Sequence, residues 1–117
     1  MSDLTVWFNP QCSKCRTAHG ILEERGVAAD YVRYLDDAPS REDLERLLVL
    51  LGTDDPRAII RTGEPVYSEL GLEGADRETL LDALAAHPIL IERPIAIRGD
   101  RAVVARPPER ILELLES

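Results

Sequence analysis

Two cysteines, Cys12 and Cys15, stand three residues apart in the run Asn9-Pro10-Gln11-Cys12-Ser13-Lys14-Cys15-Arg16, and the chain has no others. One pair cannot build a disulfide scaffold, but it can build a redox centre. One turn of helix between the two would bring the sulfurs within disulfide reach. Cysteine reacts as its thiolate, and the unpaired N–H groups of a helix N-terminus lower the thiol pKa. With a helix opening at Ser13, Cys12 sits at its entrance as the nucleophile and Cys15 one turn inside as the resolving thiol. Lys14 and Arg16 add positive charge beside them. The residues alone leave two other uses open. Cys15 shares a helical face with Ala18 and Leu22, so both thiols can be structural core. Cys12, Cys15 and His19 also have metal-ligand spacing, but a structural zinc site wants a fourth protein ligand. His87 is distant in sequence and precedes a proline. His19 reads as a helix-surface residue and His87 as a helix-end residue, and no metal is expected.

The elements around this run place it at a junction. Leu4 to Phe8 is a short apolar run that predicts a buried strand, and Asn9-Pro10 stops it. From Ser13 to about Arg25 the pattern is helical, with Cys15, Ala18, Ile21 and Leu22 on one face and Gly26 as the stop. Tyr31 to Leu35 has strand residues. Strand, helix and strand make a βαβ unit with a right-handed crossover. Residues 37 to 87 read as a helical insert. Ser40 and Asp43 resemble a capping box, Leu44, Leu47, Leu48 and Leu51 form a stripe, and Gly52 ends it. Asp55-Pro56 opens a short helix with Ala58, Ile59 and Ile60 as its apolar side. Pro65 to Leu70 is a further turn closed by Gly71, and Asp76 caps a last helix striped by Leu80, Leu81 and Leu84. After His87-Pro88 the strand pattern returns, with Ile95–Ile97 and Ala102–Val104 flanking a tight turn at Gly99-Asp100. Pro107 and Pro108 open a C-terminal helix that buries Ile111, Leu112, Leu114 and Leu115. The order β-α-β, helical insert, β-β-α predicts an α/β chain of thioredoxin-like arrangement. It is expected as one domain over 1–117, with the insert between the second and third strands.

Length and composition bound what this centre can serve. A chain of 117 residues with 31% charged and 44% hydrophobic residues is one folded domain in size and balance. Its net charge is 14 − 22 = −8. Such a surface repels nucleic acid and anionic lipid, so direct contact with either is not expected. An anionic substrate needs basic residues gathered locally. No apolar run is long enough to span a membrane and the first residues carry no basic leader, so the expected location is the cytoplasm, where disulfides are seldom structural. Lys14 is the only lysine, so 13 of the 14 basic residues are arginine and a single arginine carries little information by itself.

Longer motifs then accumulate in order. Asn9-Pro10-x-Cys12-Ser13-Lys14-x-Arg16 is followed by Tyr34-Leu35, Pro39-Ser40-Arg41, Leu44, Arg57-Ala58-x-x-Arg61 and Leu70-Gly71-Leu72. His87-Pro88-Ile89-Leu90-Ile91-Glu92-Arg93-Pro94-Ile95 and Arg106-Pro107-Pro108-Glu109 complete the set. In these motifs the chain resembles the glutaredoxin-linked arsenate reductases, over nearly its whole length. The resemblance implies a thioredoxin-like fold with a helical insert and Cys12 as the catalytic cysteine. It implies that Arg61, Arg93 and Arg106 hold the oxyanion, and that the Arg93-Pro94 bond is cis, a form cheap only before proline. Arginine is suited to holding such an ion. Its fork of donors matches a tetrahedral oxyanion, and opposite unit charges 4 Å apart attract by about 4 kcal/mol at an effective dielectric of 20.

The implied reaction needs no bound cofactor. Cys12 thiolate attacks arsenate, a second thiol (Cys15 or glutathione) attacks the Cys12 sulfur, and arsenite leaves. Glutaredoxin or thioredoxin then restores the reduced form. The chain departs from the family pattern twice. Phe8 stands where characterised members have a histidine that helps to lower the cysteine pKa. Cys15 stands where members often have serine and depend on an external thiol. The Cys-x-x-Cys is also similar to that of Spx-type regulators, which implies an alternative: a redox switch acting through a protein partner such as RNA polymerase. A general glutaredoxin-like disulfide reductase is the other alternative. An oxyanion enzyme needs all three arginines, and neither alternative does.

Overall fold

Residues 3–115 are described by a computed structural model. Four short strands form one sheet in the order β2-β1-β3-β4, where β1 is Leu4–Trp7, β2 Asp30–Val32, β3 Ile95–Arg98 and β4 Arg101–Val104. The β1–β2 pair is parallel, and β1–β3 and β3–β4 are antiparallel. That pairing, with a helix connecting the parallel pair, is the thioredoxin-like topology. The apolar composition of β1 follows from its place: both of its edges are paired, and Leu4, Val6 and Trp7 are buried. The connection from β1 to β2 is α1, Ser13–Glu24, which buries Cys15, Ala18 and Leu22. Ala18 and Leu22 pack with Leu4, Val6, Ala96, Val103, Ala105, Ile111 and Leu114 as one core. Each fully buried leucine there is worth roughly 1.5–3 kcal/mol over exposure. The β3–β4 turn is Gly99-Asp100, and Gly99 takes φ +60, which a side chain would oppose.

Two segments differ from the pattern reading. The strand expected over Tyr31–Leu35 runs Asp30–Val32. The N–H groups of Asp36 and Asp37 both bond to the Arg33 carbonyl, at 3.0 and 2.9 Å, and this turn takes Tyr34 and Leu35 out of the sheet. The C-terminal helix, Pro108–Leu114, is 3-10. Its period of three puts Ile111 and Leu114 inside, whereas Leu112 and Leu115, expected buried, are half-buried.

The chain divides into two compact units: the described residues up to Asp37 together with those from Arg93 onward, and Ala38–Glu92. In the second unit α2, Arg41–Leu51, opens on the capping box expected from the sequence. Ser40 Oγ accepts from the Asp43 N–H at 3.1 Å, and the Asp43 carboxylate accepts from the Ser40 N–H at 3.0 Å. Such a cap is worth about 1 kcal/mol. Gly52, at φ +77, ends the helix in a left-handed turn. A 3-10 turn over Pro56–Ile59 follows, then α3, Pro65–Glu69, and α4, Arg77–Ala86, capped by the Asp76 carboxylate. Helices α2 and α4 pack together, and Leu44, Leu47, Leu48, Leu80, Leu81 and Leu84 are buried. Ile59 and Ile60 are buried as expected, but Ala58 faces outward because the short turn offers only one inner side. Arg57 ties this unit together by donating to the Tyr67 hydroxyl at 2.8 Å and to the carbonyls of Leu72, Glu73 and Ala75 at 3.1, 2.8 and 3.1 Å. After α4, Pro88–Leu90 forms a 3-10 turn, and Ile91 bridges back to Ile60. Among the described residues no helix is long and apolar enough to cross a membrane.

Candidate active site

Strand direction decides which loops meet. Because β1 and β2 are parallel, their C-terminal ends lie together, and the Phe8 N–H donates to the Val32 carbonyl at 2.8 Å. Because β3 runs against β1, its start lies at the end of β1, with Trp7 opposite Ile95. Because β4 runs against β3, its end arrives there too, with Val104 opposite Ile95. The cysteine loop, Arg33, Arg93 and Arg106 therefore leave the sheet at one end. Of the predicted site residues, Cys12, Cys15, Arg93 and Arg106 belong to this unit. Arg61 belongs to the Ala38–Glu92 unit, where its guanidinium pairs with Glu64 at 2.7 Å.

The cysteine loop is built by Asn9. Its side-chain oxygen accepts from the Gln11 N–H at 2.9 Å, and its carbonyl accepts from the Cys12 N–H at 3.0 Å. This Asx-type turn leaves Cys12 as the extended N-cap of α1, half-buried, while Cys15 is fully buried one turn in. Both are free thiols. Burial pushes the Cys12 thiol up, but opposing influences outweigh it: the Cys15 N–H, the Cys15 thiol, the Lys14 N–H and the Arg93 charge. The net direction is down. Cys15 goes the other way. Burial above all pushes it up to about 12, and the neighbouring Cys12 adds to this against the Asn9 N–H, which reaches the Cys15 sulfur at 3.4 Å. Of the two thiols, Cys12 therefore gives up its proton first and Cys15 keeps its own.

On the β3 side, Arg106 donates from Nη1 to the Arg93 carbonyl at 3.0 Å, and the Ala105 N–H donates to the Pro94 carbonyl at 2.9 Å. These bonds fix the two arginine segments side by side. The Arg93-Pro94 bond is cis, as the resemblance implied, and so is Arg106-Pro107. His19 pairs with Glu23 at 3.0 Å and stands against Tyr31, with ring centres 5.0 Å apart. Phe8 packs edge-on against Tyr31 at 5.3 Å. The downward influences on Cys12 come from backbone N–H groups, Cys15 and Arg93, with no histidine among them. His87 ends α4. Among the described residues no three His, Cys, Asp or Glu side chains gather as metal ligands would. Sequence reasoning missed two residues at this end of the sheet. Asn9 enters the sequence reading as a turn residue and as part of the cysteine motif but not as the builder of the loop, a role the turn signal already contained. Arg33 carried no signal, because only the parallel pairing of β2 brings it there.

The model of the ArsC family matches residues 7–114. A protein of Neisseria meningitidis serogroup B named "Arsenate reductase" is 42% identical over 98% of this chain and all of its own length. One of the same name from Haemophilus influenzae is 39% identical over 94% of this chain and 97% of its own. The solved structure titled "Arsenate reductase from Vibrio cholerae" superposes with a TM-score of 0.90 at 41% identity, covering 95% of this chain and 96% of the other.

Proposed function

The chain belongs to the ArsC family, and from that premise we propose that it is a thiol-dependent arsenate reductase with Cys12 as its nucleophile. One observation carries the reading: Cys12, its thiol pKa lowered, is the N-cap residue of α1 at the sheet end where Arg93 acts on its charge. An acidic chain repels an oxyanion except where cations gather, and Arg93 and Arg106 supply that gathering. They hold the arsenate oxygens by charge-assisted hydrogen bonds. Arg61 enters on the family resemblance alone.

The Cys12 thiolate displaces a hydroxyl from arsenate, which leaves as water after protonation, and a sulfur–arsenic bond forms. A second thiolate, from Cys15 or glutathione, then attacks the Cys12 sulfur. The sulfur–arsenic bond breaks with its electron pair going to arsenic, so arsenic(V) becomes arsenite while the two sulfurs are oxidised to a disulfide. Glutaredoxin or thioredoxin returns the enzyme to its dithiol. A reducing cytosol is the fitting setting for two free cysteines. The test is a coupled assay of arsenate reduction with glutathione–glutaredoxin and thioredoxin supplied separately. Arsenate-dependent turnover with at least one donor is expected, and none with either overturns the reading.

A further inference from the structure

A cavity of about 260 Å³ adjoins the cysteine loop on the side away from the arginine segments. Phe8, Asn9, Gln11, Arg33, Leu35 and Asp36 line it, so it spans the exits of β1 and β2. Sheet order separates it from Arg93 and Arg106, which flank β3 and β4 on the other side of β1. Gln11 precedes Cys12, and adjacent Cα atoms lie about 3.8 Å apart, so the cavity wall runs next to the cysteine.

The lining has an apolar part and a charged part. Phe8 and Leu35 are apolar, and Leu35 is 40% exposed. Arg33 and Asp36, of opposite charge and three residues apart on one turn, both line the cavity, and neither side chain has an ion pair or hydrogen bond among the described residues. An unpaired cation and an unpaired anion lining one cavity match the carboxylate and ammonium of an α-amino acid group. We propose that this cavity binds the external thiol as glutathione, with Arg33 on its γ-glutamyl carboxylate, Asp36 on its ammonium and Phe8 and Leu35 against its apolar stem.

This deepens the arsenate-reductase reading and rests on it. Displacement at sulfur is in line: entering sulfur, Cys12 sulfur and leaving arsenic are collinear. With the oxyanion held on the β3 side, the entering thiol must come from the β2 side, where the cavity opens. The buried, protonated Cys15 is the poorer attacker at neutral pH, so the external thiol acts first. Phe8 is then a wall for the donor.

The experiment compares a charged and a neutral probe on the full chain. The first readout is the rate of arsenate reduction driven by glutathione relative to that driven by 2-mercaptoethanol. The second needs no arsenate: the rate at which oxidised glutathione, relative to 2-hydroxyethyl disulfide, converts Cys12 to a mixed disulfide, followed by mass spectrometry. Arg33→Glu is expected to lower both ratios about tenfold, as loss of a charge-assisted contact should, and Asp36→Asn less. Arg46→Glu on α2, with the same change of charge, leaves both ratios where they were. Unchanged ratios in Arg33→Glu, or an equal fall in Arg46→Glu, overturn the proposal. Should arsenate turnover be absent with every thiol, the function reading fails, and the second readout still decides the cavity.

Discussion

The two compact units use arginine in opposite ways. In the Ala38–Glu92 unit every arginine but Arg46 is tied within the unit. Arg41 pairs with Glu78 and Asp82, Arg77 with Asp54, Glu45 and Glu78, and Arg61 with Glu64, while Arg57 spans three carbonyls and a tyrosine hydroxyl. At the cysteine end of the sheet, Lys14, Arg16 and Arg33 have no ion pair among the described residues, and Arg106 bonds a carbonyl. The exposed pairs in the Ala38–Glu92 unit contribute little stability each, and in every pair a carboxylate competes with any anionic ligand for the cation. Cations left without such a partner in a chain of net charge −8 keep their attraction for an anion. In an arginine-rich chain the informative feature is therefore the partner, not the residue type.

The largest expected effect falls on the cysteines. Cys12→Ser abolishes arsenate reduction with every donor. Cys15→Ser keeps glutathione-driven turnover and loses the thioredoxin-driven reaction, since only the internal disulfide is a good thioredoxin substrate. Donor-specific assays of both variants check this, and equal total loss would assign Cys15 more than resolution.

Next come the arginines. Arg93→Ala and Arg106→Ala each remove a charge-assisted contact worth roughly 1.5–3 kcal/mol, about a tenfold to hundredfold loss in arsenate kcat/KM. Arg61→Ala is expected in the same range on the family resemblance. A variant of Arg61 with intact kcat/KM would return this residue to its ion pair with Glu64 and make the contrast between the units complete. Arg57→Ala probes the structural use. Losing its hydrogen bonds costs about 1.5–3 kcal/mol of stability by denaturant unfolding, with the cysteine chemistry of the folded fraction retained.

These variants also mark what the sequence made legible. The cysteine loop, the Ser40 capping box and the Gly99-Asp100 turn rest on local rules, and all three were readable. Tyr34 and Leu35 were misplaced in a strand because their β propensity lost to a turn closed on the Arg33 carbonyl. The Arg57 hub and the Arg33 cavity were invisible, because carbonyls 15 to 18 residues away and a strand exit become neighbours only in the folded chain.

The smallest expected effect is on titration. Alkylation requires the thiolate, so Cys12, with its pKa lowered, is labelled first as pH rises, and Cys15, pushed up to about 12, stays protonated well beyond that point. Arg93→Ala removes a positive charge that favours the thiolate, so the Cys12 midpoint moves up. The move is slight because Arg93 is the weakest of the downward influences. A midpoint that falls, or Cys15 labelled first, would reverse the assigned roles.

The claim at the centre is that a thiolate and two arginines form one oxyanion site at one end of the sheet. Protection of Cys12 from alkylation by arsenate, read residue by residue by mass spectrometry at fixed pH, tests it without turnover. Rising arsenate should slow Cys12 labelling in the parent chain, and the protection should be lost in Arg93→Ala and Arg106→Ala. Cys12 labelled at the same rate at every arsenate concentration, or protected equally in the parent and both variants, would contradict it.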